Sequence, residues 1–330
     1  MFATAPDLLR LLAVPVFGWA AYRDLRTRRV PNRTWYPLVA VGLACLAWDA
    51  WSVAGAVAVR QRLFAVHLAV SLGIVVPMAY GFWRFGGFGG ADAKAFMVLA
   101  LLFPEYPAYY LATAALPLVR TTLGVFSLTV VTNAVLVGAA YPLALGARNA
   151  LAGHRRVRAL VGRPVRWDDL ERTHGRLLED RDGFTRAGLD LDALRMYLRW
   201  RDTTLAALRE DPGLADPATV PEETGDPTDG ALADGGVDAA PPAATPAARD
   251  AAADAGDGDR WGAAAFCDAV DGAYGTTPAQ LRAGLDVVTD RDAVWVSPGI
   301  PFVVPLFAGL LVALVYGDLL FAALRAVALA

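Results

Sequence analysis

The sequence predicts an all-α, polytopic membrane protein with about six transmembrane helices and a partly disordered cytoplasmic insertion. Three observations carry that expectation. Of 330 residues, 56% are hydrophobic, too many for an ordinary soluble domain. The apolar residues gather in blocks of roughly 20, the length needed to cross a bilayer. One long polar stretch, from about Gly146 to Val296, separates the fifth block from the last.

The first apolar block runs from about Pro6 to Tyr22, with Arg10 near enough to one end to snorkel toward water. It lacks a basic n-region and a small-residue cleavage site, so it reads as a retained helix rather than a signal peptide. A polar loop with five arginines follows, Arg23 to Arg33. The second span covers about Trp35 to Val59 and the third about Leu63 to Trp83. Next comes the bend Arg84-Phe85-Gly86-Gly87-Phe88-Gly89-Gly90-Ala91-Asp92-Ala93-Lys94, which supplies the only lysine of the chain.

A fourth apolar stretch starts at about Ala93, is interrupted by Phe103-Pro104-Glu105-Tyr106-Pro107 and resumes to Val119. It is either one helix kinked at Pro104 or a short helix followed by a surface segment. A fifth span runs from about Thr122 to Leu145 and the last from about Ile300 to Leu324. Within the insertion, Leu189 to Leu198 is helix-compatible. From Glu210 to Asp259, thirteen acids face one base, Arg249, which reads as a disordered acidic linker. The expected division is 1–146 for five spans and both acids of interest, 147–296 for the insertion and 297–330 for the sixth span.

Loop charge orients these spans. Arginines 23, 26, 28, 29 and 33 fill the first loop, Arg84 and Lys94 flank the third, and six arginines from Arg148 to Arg166 open the fifth. The alternate loops hold only Arg60, Arg62 and Arg120. Positive charge marks the cytoplasmic side, so the odd loops face the cytoplasm and both termini face out. A net charge of -3 offers no field for nucleic acid. Cys45 and Cys267 form no CxxC pair, and His67, His154 and His174 show no ligand spacing, so no metal or cofactor is expected.

Asp24 ends the first span and Asp92 begins the fourth, which puts two carboxylates at one depth near one membrane face. Such a pair can share a proton, one acid activating water and the other protonating a carbonyl. Taken singly, Asp92 reads equally as a helix cap and Asp24 as a weak ion-pair partner of the loop arginines. Gly89, Gly90 and Ala91 form a flexible approach through which an extended substrate backbone reaches the acid. Lys94 is a possible modulator, lowering the pKa of Asp92 or orienting substrate, or it snorkels at the interface. Asn133 reads as an interhelical hydrogen-bonding residue, Asp318 as structural, and His67 as a packed polar residue. Asp49 and Glu105 fall on the outer side.

Asp24-Leu25-Arg26-Thr27-Arg28-Arg29-Val30-Pro31-Asn32 resembles the first aspartate motif of the type IV prepilin and preflagellin peptidases. Gly89-Gly90-Ala91-Asp92-Ala93-Lys94 resembles the second, a GxGD element followed by lysine, with Ala91 where the strict motif has glycine. Ser297 to Pro305 resembles the C-terminal signature of the archaeal branch. The resemblance implies an intramembrane aspartyl endopeptidase with catalytic Asp24 and Asp92. Its substrates would be pilin-like and archaellin precursors, cut at the cytoplasmic face after a short basic leader. Bacterial relatives carry a cysteine-bearing domain and N-methylate their products; without it, this chain is expected to cleave only. Two other classes use paired intramembrane acids. A cation- or proton-coupled transporter would place them at the midplane, and a presenilin-like protease would set them deeper and add a Pro-Ala-Leu element absent here. An inactive relative acting as a binding partner is a further reading. Membrane lipid headgroups are the other partner expected of the loop-one arginines.

Overall fold

The computed structural model describes residues 2–85, 87–153, 157–230, 259–270, 272–298 and 302–329. The chain divides into two compact units, residues 1–141 with 301–330, and residues 142–300.

The first unit is built from apolar helices. Helices α1 (Ala5–Arg10) and α2 (Ala13–Thr27) are followed by α3 (Tyr36–Ala54). Helices α4 (Ala58–Val70) and α5 (Val76–Arg84) join through a π-helical turn, Ser71–Val75. Pro77 accounts for the turn: its ring removes an N–H and crowds the carbonyl four residues back. Helix α6 (Gly90–Leu102) is short and stops at Phe103-Pro104, which selects the short-helix alternative for the fourth apolar stretch. A two-residue pairing of β1 (Tyr109–Tyr110) with β2 (Ala115–Leu116) comes next, then α7 (Phe126–Leu151).

The last apolar block is not one helix. It divides into α12 (Val303–Val315) and α13 (Leu319–Leu329) at Gly317, whose φ of +105° leaves the helical region. Asn133 on α7 holds the break open, donating Nδ2 to the Gly317 carbonyl (2.8 Å) and accepting from the Leu319 N–H (3.0 Å). Asp318 caps α13 through the Phe321 N–H and takes a bond from the Thr129 hydroxyl. Asn133 thus makes the interhelical bonds expected of it.

Three helical stretches, Asn32–Ala54, Ala58–Arg84 and Phe126–Leu151, are long and apolar enough to cross a membrane. The core of this unit is Phe17, Leu38, Phe96, Leu99, Phe126, Leu306 and their neighbours. Helix α2 packs along α12, and α3 and α5 pack along α6. Arg10 does not snorkel. It is buried, paired with Asp7 and Asp49, and donates Nε to the Leu102 carbonyl at 2.7 Å, closing the C-terminus of α6. Glu105 likewise takes Arg60 and His67 Nδ1.

The second unit corrects the all-α expectation. Strand β7 (Ala293–Ser297) lies between β3 (Arg163–Arg166) and β4 (Arg176–Leu177) in an antiparallel sheet, and β5 (Glu179–Asp180) pairs with β6 (Gly183–Phe184). Val294, Trp295 and Val296 are buried and β-prone, and Pro164 sits on an edge strand where its missing N–H costs no ladder bond. Helices α8 (Leu191–Trp200), α9 (Leu205–Glu210), α10 (Ala263–Ala269) and α11 (Pro278–Asp290) complete the unit. Thr277 and Gln280 form a capping box that starts α11.

Part of the expected acidic linker is ordered. Residues 212–219 form two 3-10 turns, and main-chain groups tie the stretch to α8 and its end. Arg201 donates to the Leu214 carbonyl, Arg195 to the Gly230 carbonyl, and Gly225 N–H to the Trp200 carbonyl. These bonds add to the packing of Leu214, Ala215 and Val220 against the core of the unit. The rest of that linker, 231–258, lies outside the described residues.

Candidate active site

Asp24 belongs to α2 itself. The helix continues a turn past Tyr22, and Arg28 ends it in the left-handed conformation (φ +56°) with its N–H on the Asp24 carbonyl at 2.9 Å. The polar loop therefore starts later than the arginines alone indicate. Along α2 the buried positions are Ala13, Phe17, Ala20, Ala21 and Asp24, a spacing that keeps all five on one face. Asp24 is 6% exposed. Its neighbours Arg23 and Arg26 instead lie over the rings of Trp19 and Tyr22.

Asp92 lies in the first turn of α6. It is the third residue of the helix rather than the cap; Gly89 is the cap. Asp92 Oδ2 accepts the Gly89 N–H at 3.1 Å, and Oδ1 accepts the N–H of Val303 at 3.0 Å. Val303 is the first residue of α12, so a second helix N-terminus, with its partial positive charge, is aimed at this acid. Helix α2, whose buried face carries Asp24, packs along α12, whose first N–H holds Asp92. A cap alone needs no such second donor.

The glycines before Asp92 work by space rather than by backbone freedom. Gly89 has φ −67°, and neither it nor Gly90 takes a left-handed conformation. A Cβ on Gly89 would stand 3.2 Å from Asp92 Oδ2, tighter than an ordinary contact, whereas one on Gly90 would meet nothing nearer than 3.8 Å. Ala91 sits inside the helix, where its methyl group needs no left-handed backbone. Gly86 lies outside the described residues. Phe82, Phe88, Phe96 and Phe302 stack beside the bend at centroid distances of 4.9 to 5.6 Å.

Lys94 is exposed, and its Nζ donates to Asn32 Oδ1 at 2.7 Å. Among the described residues no cluster of three or more His, Cys, Asp or Glu is arranged to hold a metal ion. The sequence reading missed the Val303 N–H, because a main-chain donor leaves no side-chain signature. Its only trace is the Pro-rich run Ser297 to Pro305, which resembles a family signature and starts a helix.

Residues 11–143 match the type IV leader peptidase family, and residues 276–319 match the archaeal peptidase A24 C-terminus, type II. Over these two regions the chain is similar to the archaeal type IV leader peptidases. Both aspartates fall in the first matched region and Val303 in the second, so the two regions meet at Asp92. Prepilin peptidase EppA of Methanothermobacter thermautotrophicus is 26% identical over 127 residues, 36% of this chain and 29% of that protein. The match thus spans less than a third of that relative's length. No solved structure matches the chain.

Proposed function

We propose that this protein is a membrane-embedded aspartyl endopeptidase that removes the short basic leader from pilin-like or archaellin precursors. In this reading the odd-numbered loops of a six-span chain face the cytoplasm and cleavage occurs there. What supports the reading is that both acids neighbour α12, since α2 with Asp24 on its buried face packs along it and its Val303 N–H holds Asp92, in a chain whose residues 11–143 match the leader peptidase family.

The chemistry follows from two acids that share one proton. The ionised carboxylate takes a proton from water as its oxygen attacks the scissile carbonyl carbon. The protonated carboxyl gives its proton to the carbonyl oxygen, forming a neutral tetrahedral diol. The diol collapses: one of its hydroxyls returns a proton to the carboxylate that had acted as the acid, the C–N bond breaks, and the leaving nitrogen takes a proton from the acid formed in the first step. Both carboxyls then return to the one-proton state. The bonds from Gly89 and Val303 hold both oxygens of Asp92 in place for this exchange. No methyl transfer is part of the proposal.

In membranes containing the protein and a precursor with a basic leader before an apolar helix, Asp24→Asn and Asp92→Asn each reduce cleavage at least a thousandfold. Wild-type rates in either variant would sink the assignment. Because activity needs one proton on the pair, kcat/KM falls on both sides of a pH maximum, and either Asn variant loses the bell at every pH. A transporter using the same acids would instead lose ion flux in these variants and show no proteolysis.

A further inference from the structure

One lysine stands among thirty Lys and Arg residues, so wherever this chain needs only positive charge it uses arginine. At position 94 it does not. The ammonium is a compact point donor, whereas guanidinium is a wide planar fork, and the two do not make the same single hydrogen bond. The amine lies beside the bend, where a Cβ on Gly90 would meet its Nζ at 3.9 Å, an ordinary contact.

The partner of that amine lies 62 positions away. Asn32 opens a 3-10 turn, Asn32–Thr34, that leads through Trp35 into α3. Trp35 is buried and packs edge-on against Phe17 at 5.4 Å, on the α2 face that carries Asp24 two turns later. A continuous path therefore runs from Asp92, by two residues of α6, to Lys94, Asn32, Trp35, Phe17 and Asp24.

We infer that Lys94 is a positioning residue: its hydrogen bond to Asn32 fixes the first loop against α6 and so sets the separation of Asp24 and Asp92. The inference rests on the peptidase reading of those two acids. The bond is exposed, and an exposed bond adds little to fold stability. Its effect belongs in turnover, where a displacement of about 1 Å is costly.

The test uses the purified full-length protein and the same kind of precursor. Lys94→Met and Asn32→Ala each lower kcat about tenfold, leave KM within twofold and leave the thermal midpoint unchanged. The double variant is no worse than either single variant, because both residues act through one bond. Asn32→Asp keeps the acceptor and returns kcat to within about threefold of wild type. Wild-type turnover in Lys94→Met, additive losses in the double variant, or a change confined to KM overturns the clamp. Failure of the peptidase reading shows differently: Asp24→Asn and Asp92→Asn then still cleave, whereas failure of the clamp leaves those two inactive and Lys94→Met active.

Discussion

A half-buried carboxylate with both oxygens held by main-chain donors has little freedom to move, and Asp92 is in that position. Gly89 contributes one donor and also the empty volume in which Oδ2 sits. Gly89→Ala puts a methyl carbon 3.2 Å from that oxygen, so the carboxylate must shift by a few tenths of an ångström. We expect kcat to fall about tenfold, a cost of about 1.4 kcal/mol in the transition state. Gly90→Ala meets only ordinary contacts and retains at least half of wild-type kcat, measured on the same precursor. Equal losses in both variants would return the glycines to a role in backbone flexibility. Asp24 and Asp92 were legible in the sequence because an acid at each of two polar boundaries is costly and conspicuous. The Val303 N–H and the acceptor at Asn32 were not. One is main chain, and the other became a contact only through a pairing 62 residues apart.

Helix α12 joins the fold to that site. Its N-terminus donates to Asp92, and its middle approaches α7 so closely that Gly309 has no room for a side chain. A Cβ there would lie 2.6 Å from the Ala134 nitrogen and 2.9 Å from the Val130 carbonyl oxygen. Small residues at such crossings let two backbones touch within a membrane. Gly309→Leu must push the helices apart, at about 1–3 kcal/mol by the usual cost of overpacking. The expected result is a lower unfolding midpoint in detergent together with a fall in kcat, since the Val303 donor moves with its helix. A lower midpoint with unchanged kcat would mean that α12 does not position Asp92. The apolar blocks announced these helices, but their ends came from local chemistry that hydropathy averages away. Pro104 stops α6, and Gly317 with Asp318 divides the final block. The sheet of the second unit was hidden for another reason. Its strands are two to five residues long and join residues 163–166 to 293–297, a pairing no local pattern encodes.

At the level of the whole chain, the arginine distribution predicts more than the helices display. Three stretches have the length to cross a bilayer, while α2, α6 and the α12–α13 pair are shorter and leave the span count to charge and composition. The six-span proposal puts the acidic stretch between Gly230 and Asp259 in the cytoplasm, on the same side as the two aspartates. A single reporter thiol tests it. Cys45 is buried in α3, and burial pushes the Cys267 thiol up to about 12, so neither supplies much reactive thiolate near neutral pH. Replacing both with Ala and introducing Asp238→Cys leaves a single thiol, placed in the acidic stretch. We expect a membrane-impermeant maleimide to spare it in intact cells and to label it fully once the cells are opened. A cysteine at Trp51, near the end of α3 and 85% exposed, should show the opposite pattern. Labelling of position 238 in intact cells would reverse the orientation and put both carboxylates on the outer face. Precursor leaders held in the cytoplasm could not reach them there, so this one result bears on the topology and the cleavage reaction together.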